Sequence, residues 1–215
     1  MSHMNVLRQS TGLLIAAYIL IGLGCARMPY TTSMVHQDQR VTVMLQREIE
    51  QAGYTHPVQI APQQVATILR GFSLREQQRL PLRWFAEEAP PKKIFREDEL
   101  DVLTPQLADA LQKAGPGERV YFELFAPGMN PQYRRDVTGG WIAVRNQLLH
   151  LTIDFFHVQQ PVRTYDVYDY NYPTPWSPEQ TYLLYFEPGR FYVADSKTDR
   201  RGVDFREFIK TSPLP

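Results

Sequence analysis

The hydrophobic positions of this chain change period partway along it. In the first half they recur at steps of three and four. Val65, Ile68, Leu69 and Phe72 share one helical face, and Leu100, Leu103, Leu107 and Leu111 form a second stripe. In the second half they alternate, as in Arg119-Val120-Tyr121-Phe122-Glu123-Leu124-Phe125, the period of a strand with one buried face. Helices first and strands after predict an α+β fold: a helical N-terminal half packed on an antiparallel, hairpin-rich sheet from the C-terminal half.

Local signals set the expected boundaries. Residues 40–48 start with β-branched side chains and read as a strand, with a helix left open. His56-Pro57 closes that element, Pro62 opens a helix at its first turn, and Gly71 ends it. Residues 74–85 are expected to begin helical and to break at Pro81, with Pro90-Pro91 in a loop. Thr104-Pro105 supplies a cap residue and a first-turn proline, which divides the leucine stripe into two short helices. Residues 138–145 and 148–156 predict a hairpin turning at Asn146-Gln147, and residues 182–187 and 190–194 a second one around Pro188-Gly189. No internal repeat is evident.

The longest apolar run, Leu13 to Gly24, follows Arg8 and ends against Cys25, the one cysteine among 215 residues. A positive start, an apolar core and small residues before a cut are the parts of an export signal. A bilayer-spanning helix takes about 20 apolar residues; this run is shorter and is interrupted by Gly12, Gly22 and Gly24. Met4 is an alternative start, with the three residues before it an added scar.

The stretch Ile21-Gly22-Leu23-Gly24-Cys25 resembles the lipobox of bacterial lipoprotein precursors, with Gly22 and Leu23 standing where that family usually carries an aliphatic and then a small residue. The resemblance implies thioether lipidation at Cys25, removal of the preceding peptide and acylation of the new amino terminus. Ala26, in place of Asp, implies carriage to the outer membrane, facing the periplasm, in lipoproteins of the enteric type. The expected organisation is a signal peptide at 1–24, a flexible tether at 25–39 and a single α+β periplasmic domain at 40–215. The remainder also resembles uncharacterised bacterial lipoproteins, with Gly140-Trp141 and Leu149-His150 on strands, a likeness that carries no catalytic residue with it.

Charge and chemistry narrow the function further. With 23 basic and 23 acidic side chains, scattered, the chain has no electrostatic footprint for nucleic acid. Once Cys25 is lipidated no thiol remains for a disulfide, a zinc site or a nucleophile. No serine lies in a Gly-x-Ser-x-Gly elbow. Gly139-Gly140 precedes a strand and reads as a bulge or a close backbone approach, not a phosphate loop. His150, Asp154 and His157 would align on a helix, but a strand sends His157 to the other face, so no metal site is expected. The acidic pairs Asp98-Glu99 and Glu87-Glu88 read as a helix start and a loop rather than a hydrolytic pair.

The most unusual segment spans residues 165–176, where tyrosines alternate with polar residues ahead of two prolines. Tyr168, Tyr170, Tyr172 and Trp176 are the candidate partner-binding residues, rings with polar tips that suit partner surfaces. The competing expectation is that they pack over the sheet. Together these features predict a membrane-anchored cell-envelope lipoprotein that binds or scaffolds, without catalytic residues, cofactor or metal. Its expected partners are the membrane through the lipid and an envelope protein. A glycan or lipid receptor is the alternative, and an envelope hydrolase the third reading.

Overall fold

The computed structural model describes residues 30–48, 53–76, 90–162, 182–196 and 200–211. Its frame is an antiparallel sheet of seven strands: β1 (Tyr30–Gln37), β2 (Val41–Glu48), β5 (Glu118–Pro127), β6 (Arg134–Arg145), β7 (Leu148–Pro161), β10 (Arg201–Asp204) and β9 (Tyr192–Ala194), in that spatial order. A second sheet orders β4 (Lys92–Lys93), β3 (Phe72–Glu76) and β8 (Tyr182–Phe186). Three α-helices join them among the described residues: α1 (Pro62–Arg70), α2 (Glu97–Lys113) and α3 (Phe205–Thr211).

One face of the large sheet carries the core. Alternation puts Val41, Val43 and Leu45 of β2, Val120, Phe122 and Leu124 of β5, and Leu149, Leu151 and Ile153 of β7 on the same buried side. α1 adds Val65, Ile68 and Leu69 to this core, and α2 adds Leu100, Leu103, Leu107 and Leu111. Each such side chain removed from water contributes about 1.5–3 kcal/mol. The small sheet closes one end through aromatic contacts, with the Phe72 and Phe186 rings 4.9 Å apart and Phe186 and Phe208 5.1 Å apart.

Turn chemistry accounts for the connections. Asp38 Oδ1 accepts the backbone N–H of both Arg40 and Val41 at 2.7 Å, which closes the β1–β2 hairpin. Those bonds and, above all, His36 pull the Asp38 carboxyl down to about 2. The β6–β7 hairpin turns at Asn146 and Gln147, both with positive φ (48° and 68°), the backbone that matches strand twist. α1 starts at Pro62 and stops at Gly71, as its sequence predicts.

The helical N-terminal half is not what the chain builds. Among the described residues strand outweighs helix by 49% to 26%, and β1 and β2 belong to the large sheet itself. Val41-Thr42-Val43 is β-branched and buries alternate residues, so residues 40–48 form a strand. Residues 30–37, expected within a tether, pair with β2 along their length.

Three further expectations are corrected. Residues 72–76, expected to be helical from 74, are a strand, because Phe72 to Glu76 pair with Phe186 to Tyr182 more than a hundred positions away. Thr104-Pro105 does not divide the leucine stripe. α2 runs through Pro105, since Leu103, Thr104 and Leu107 are buried on either side and the shared core face outweighs the lost N–H. Residues 182–187 and 190–194 do not form a hairpin: β8 pairs with β3 and β9 with β10, in different sheets.

Candidate functional site

The opposite face of the seven-stranded sheet carries the candidate site. Strand register lines up Met34 with Met44, Met44 with Tyr121, Tyr121 with Trp141, and Trp141 with Thr152, a single row across five strands. The row grades from exposure to burial. Met34 at the sheet edge is 53% exposed, and Trp141 near the middle 5%. Tyr54, Tyr121, Trp141 and Ala143 form a small cluster of their own, separate from the main core, with Met44 packed against it.

Arginines frame this row. The guanidinium carbon of Arg119 lies 5.0 Å from the Trp141 ring centroid and that of Arg200 5.2 Å, while Arg145 lies 5.1 Å from the Tyr54 ring. These are cation–π distances, and they leave the rings in place under charged heads. Arg119 is steadied by Gln46, its cross-strand neighbour, whose Oε1 accepts its Nε–H at 3.1 Å. Tyr121 donates its hydroxyl to Glu123 Oε1 at 3.0 Å. Burial, with the adjacent Glu123 carboxylate adding to it, pushes the Tyr121 phenol well above its ordinary range and keeps it a donor.

Asp154 of β7 belongs to the same region. Burial pushes its carboxyl up, and Arg119 and Arg200 pull the other way. A half-buried carboxyl between two guanidiniums is a charge held at some cost, an arrangement common at sites that bind.

Where β7 meets the β9–β10 hairpin, His150 shares its Nδ1 with the carbonyl of Arg201 at 3.1 Å, and its Nε2 lies 3.7 Å from Asp195 Oδ2. Asp195 is also 3.8 Å from Arg145 and accepts from Asn146 Nδ2 at 3.4 Å. Burial lowers the His150 ring, Arg145 and Arg200 add to that, and the Arg201 carbonyl and Asp195 oppose it.

Of the set His150, Asp154 and His157 read from the sequence, the first two lie in this region. His157 bonds Asp136 Oδ2 at 3.1 Å on the exposed side of β7, so His150, Asp154 and His157 do not converge. Among the described residues no group of three or more His, Cys, Asp or Glu could hold a metal. Asp98 and Glu99 begin α2, paired at 2.9 Å with Arg40 and Arg96 respectively. Gly140 is a close approach: β7 bulges opposite Gly139 and Gly140, and a Cβ at Gly140 would run into the Thr152 carbonyl. Cys25, Glu87, Glu88, Tyr168, Tyr170, Tyr172 and Trp176 lie outside the described residues. A shallow, open depression of ≈ 520 Å³ lies between α1 and α2, lined in part by Ile60, Pro105 and Gln112.

Sequence reasoning missed Trp141, Tyr121, Arg119 and Arg200 as a group. Alternation in β5 and β6 already places Arg119, Tyr121 and Glu123 on one face and Trp141, Ala143 and Arg145 on another. What brings them together is the β5–β6 register, which no local motif announces.

No protein-family model, curated protein or solved structure shows significant similarity to this chain.

Proposed function

We propose that this protein is a lipid-anchored component of the bacterial cell envelope, held by Cys25 and facing the periplasm at the outer membrane, which binds a protein partner without catalysing a reaction. The observation that carries the binding reading is the Met34-Met44-Tyr121-Trp141 row with Arg119 and Arg200 over its tryptophan. Arginine is prominent among the few residues that supply most binding energy at interfaces, and here exposed Met34 and Arg200 and half-buried Met44 and Arg119 sit on a rigid base of buried Tyr121 and Trp141. Tyr168, Tyr170, Tyr172 and Trp176 join the proposal as further contact residues on sequence grounds. Anchoring is supported by the Arg8, apolar-run and Cys25 series; one acyl chain holds a membrane only marginally, whereas several hold stably at about 0.8 kcal/mol per buried CH2.

The test is photo-crosslinking in the native envelope from Met44, Glu123 and Arg200, with Lys92 on the small sheet as the control, followed by mass spectrometry. A protein adduct from the first three positions and none from Lys92 is the expected result. Equal yields from Lys92 would remove the sheet face from consideration, and a glycan or lipid adduct would replace the protein partner with a receptor role. In parallel, Cys25→Ala is expected to move the protein to the soluble fraction. Retention in the membrane would place the anchor elsewhere.

A further inference from the structure

Among the described residues β1 is the outermost strand of the large sheet. β1 bonds β2 on one side, and among the described residues no strand bonds the other. Proteins ordinarily blunt such edges with charge, proline or short length. β1 has 8 residues, with no Asp, Glu, Lys, Arg or Pro among them. Thr32, Ser33 and Met34 are exposed. One blunting device is present, an irregularity in pairing between Met34 and His36, and it confines an open ladder to the part of the strand up to Met34.

The anchor says which partner can reach this edge. Only residues 26–29 separate Cys25 from Tyr30, so β1 starts within about 17 Å of the lipid at most. Every copy in one membrane therefore keeps this edge within the same thin layer beside it. An antiparallel pair of identical strands in one continuous sheet is related by a two-fold axis perpendicular to that sheet. With that axis along the bilayer normal, both anchors enter the same membrane. Self-pairing also opposes no like charges, since the strand has no charged side chain apart from His36, which pairs with its own Asp38 at 3.0 Å.

We infer that β1 pairs antiparallel with β1 of a second copy in the same membrane, over residues 32–34 with Ser33 opposite Ser33, joining two seven-stranded sheets edge to edge. The inference rests on the Cys25 anchor proposed above. It extends the row on the outer face, because the edge residue Met34 then meets a neighbouring strand instead of water.

Single cysteines in the full-length protein, oxidised in native membranes, test this. Ser33→Cys is expected to give a disulfide-linked species of twice the monomer mass, because the two-fold axis sets residue 33 opposite itself with the two Cβ atoms within bridging range. Met129→Cys, on a loop residue 84% exposed, measures random collision, and Ser33→Cys is expected to exceed it several-fold. Met34→Lys placed in the Ser33→Cys background sets like charges diagonally across the axis and lowers the yield by about fivefold. A yield at Ser33 no higher than at Met129, or linkage to a protein of different mass, overturns the inference. Fractionation of Cys25→Ser keeps the two readings apart. Release of that variant together with no β1 cross-link in the anchored protein defeats the pairing alone, whereas its retention in the membrane defeats the anchor and leaves the cross-link yields to judge the pairing.

Discussion

His56 Nε2 accepts the backbone N–H of Val144 at 3.1 Å, tying the segment ahead of α1 to the end of β6 across 88 positions of sequence. An acceptor role at Nε2 requires the neutral ring with its proton on Nδ1. Burial lowers the His56 value below its usual 6.5, and His150 is lowered for the same reason.

The sign of the pH dependence follows from that shift. Between the folded value and 6.5 the unfolded chain binds more protons, so stability is complete above 6.5 and is lost as pH falls toward the folded value. His56→Ala leaves the Val144 N–H unpaired and is expected to cost about 1–3 kcal/mol at pH 7.5. The gap between wild type and variant narrows at pH 5.5, where only the wild type pays for protonating a buried ring at position 56. Denaturant unfolding at both pH values checks this, and a gap that widens in acid contradicts it.

Asp154 has the opposite sign. Its folded value is raised by burial, so the charge is a cost above that value and the fold gains stability as pH falls through the window between it and 3.8. Asp154→Asn is expected to raise the melting temperature at pH 7 by about 1–2 °C, a difference that vanishes near pH 3. A lower melting temperature at pH 7 would show that the arginines more than offset the burial.

Gly140 allows no side chain. The Thr152 carbonyl that a Cβ would meet is backbone held in the β6–β7 ladder, so it cannot step aside. Gly140→Ala is expected to cost about 3 kcal/mol or more. Gly117→Ala, where a Cβ meets nothing within 4 Å, is expected to change stability by about 0.5 kcal/mol or less. Comparable losses in the two variants would mean that the β7 bulge is not where β6 places it.

Pro105 sits inside α2 with its ring exposed. It withholds one helical hydrogen bond, so Pro105→Ala is expected to stabilise the protein by about 1–3 kcal/mol. Calorimetry reads the change directly. No gain would indicate that the helix has bent to accommodate the ring.

What sequence alone revealed and what it missed divide along contact range. The α1 limits, the Asn146-Gln147 turn and the β5 alternation were all legible, because each depends on residues within a few positions of one another. The expected helical start at residues 74–76 and the expected hairpin at 182–194 failed for the reverse reason. Phe72–Glu76 is a strand only because Tyr182–Phe186 lies beside it. Pro105 was weighed as a local breaker, when burial of Leu103 and Leu107 on one core face decided the matter.

By itself, then, the chain determined its near-neutral charge, the apolar run that ends against Cys25, and the buried faces of α1 and β5, all properties of covalent order and short-range periodicity. Tertiary structure alone decided that the N-terminal strands join the main sheet and that Met34, Met44, Tyr121 and Trp141 fall in one row. Register between strands is set by distant backbone hydrogen bonds and shared burial, and neither leaves a mark in the local pattern of residues.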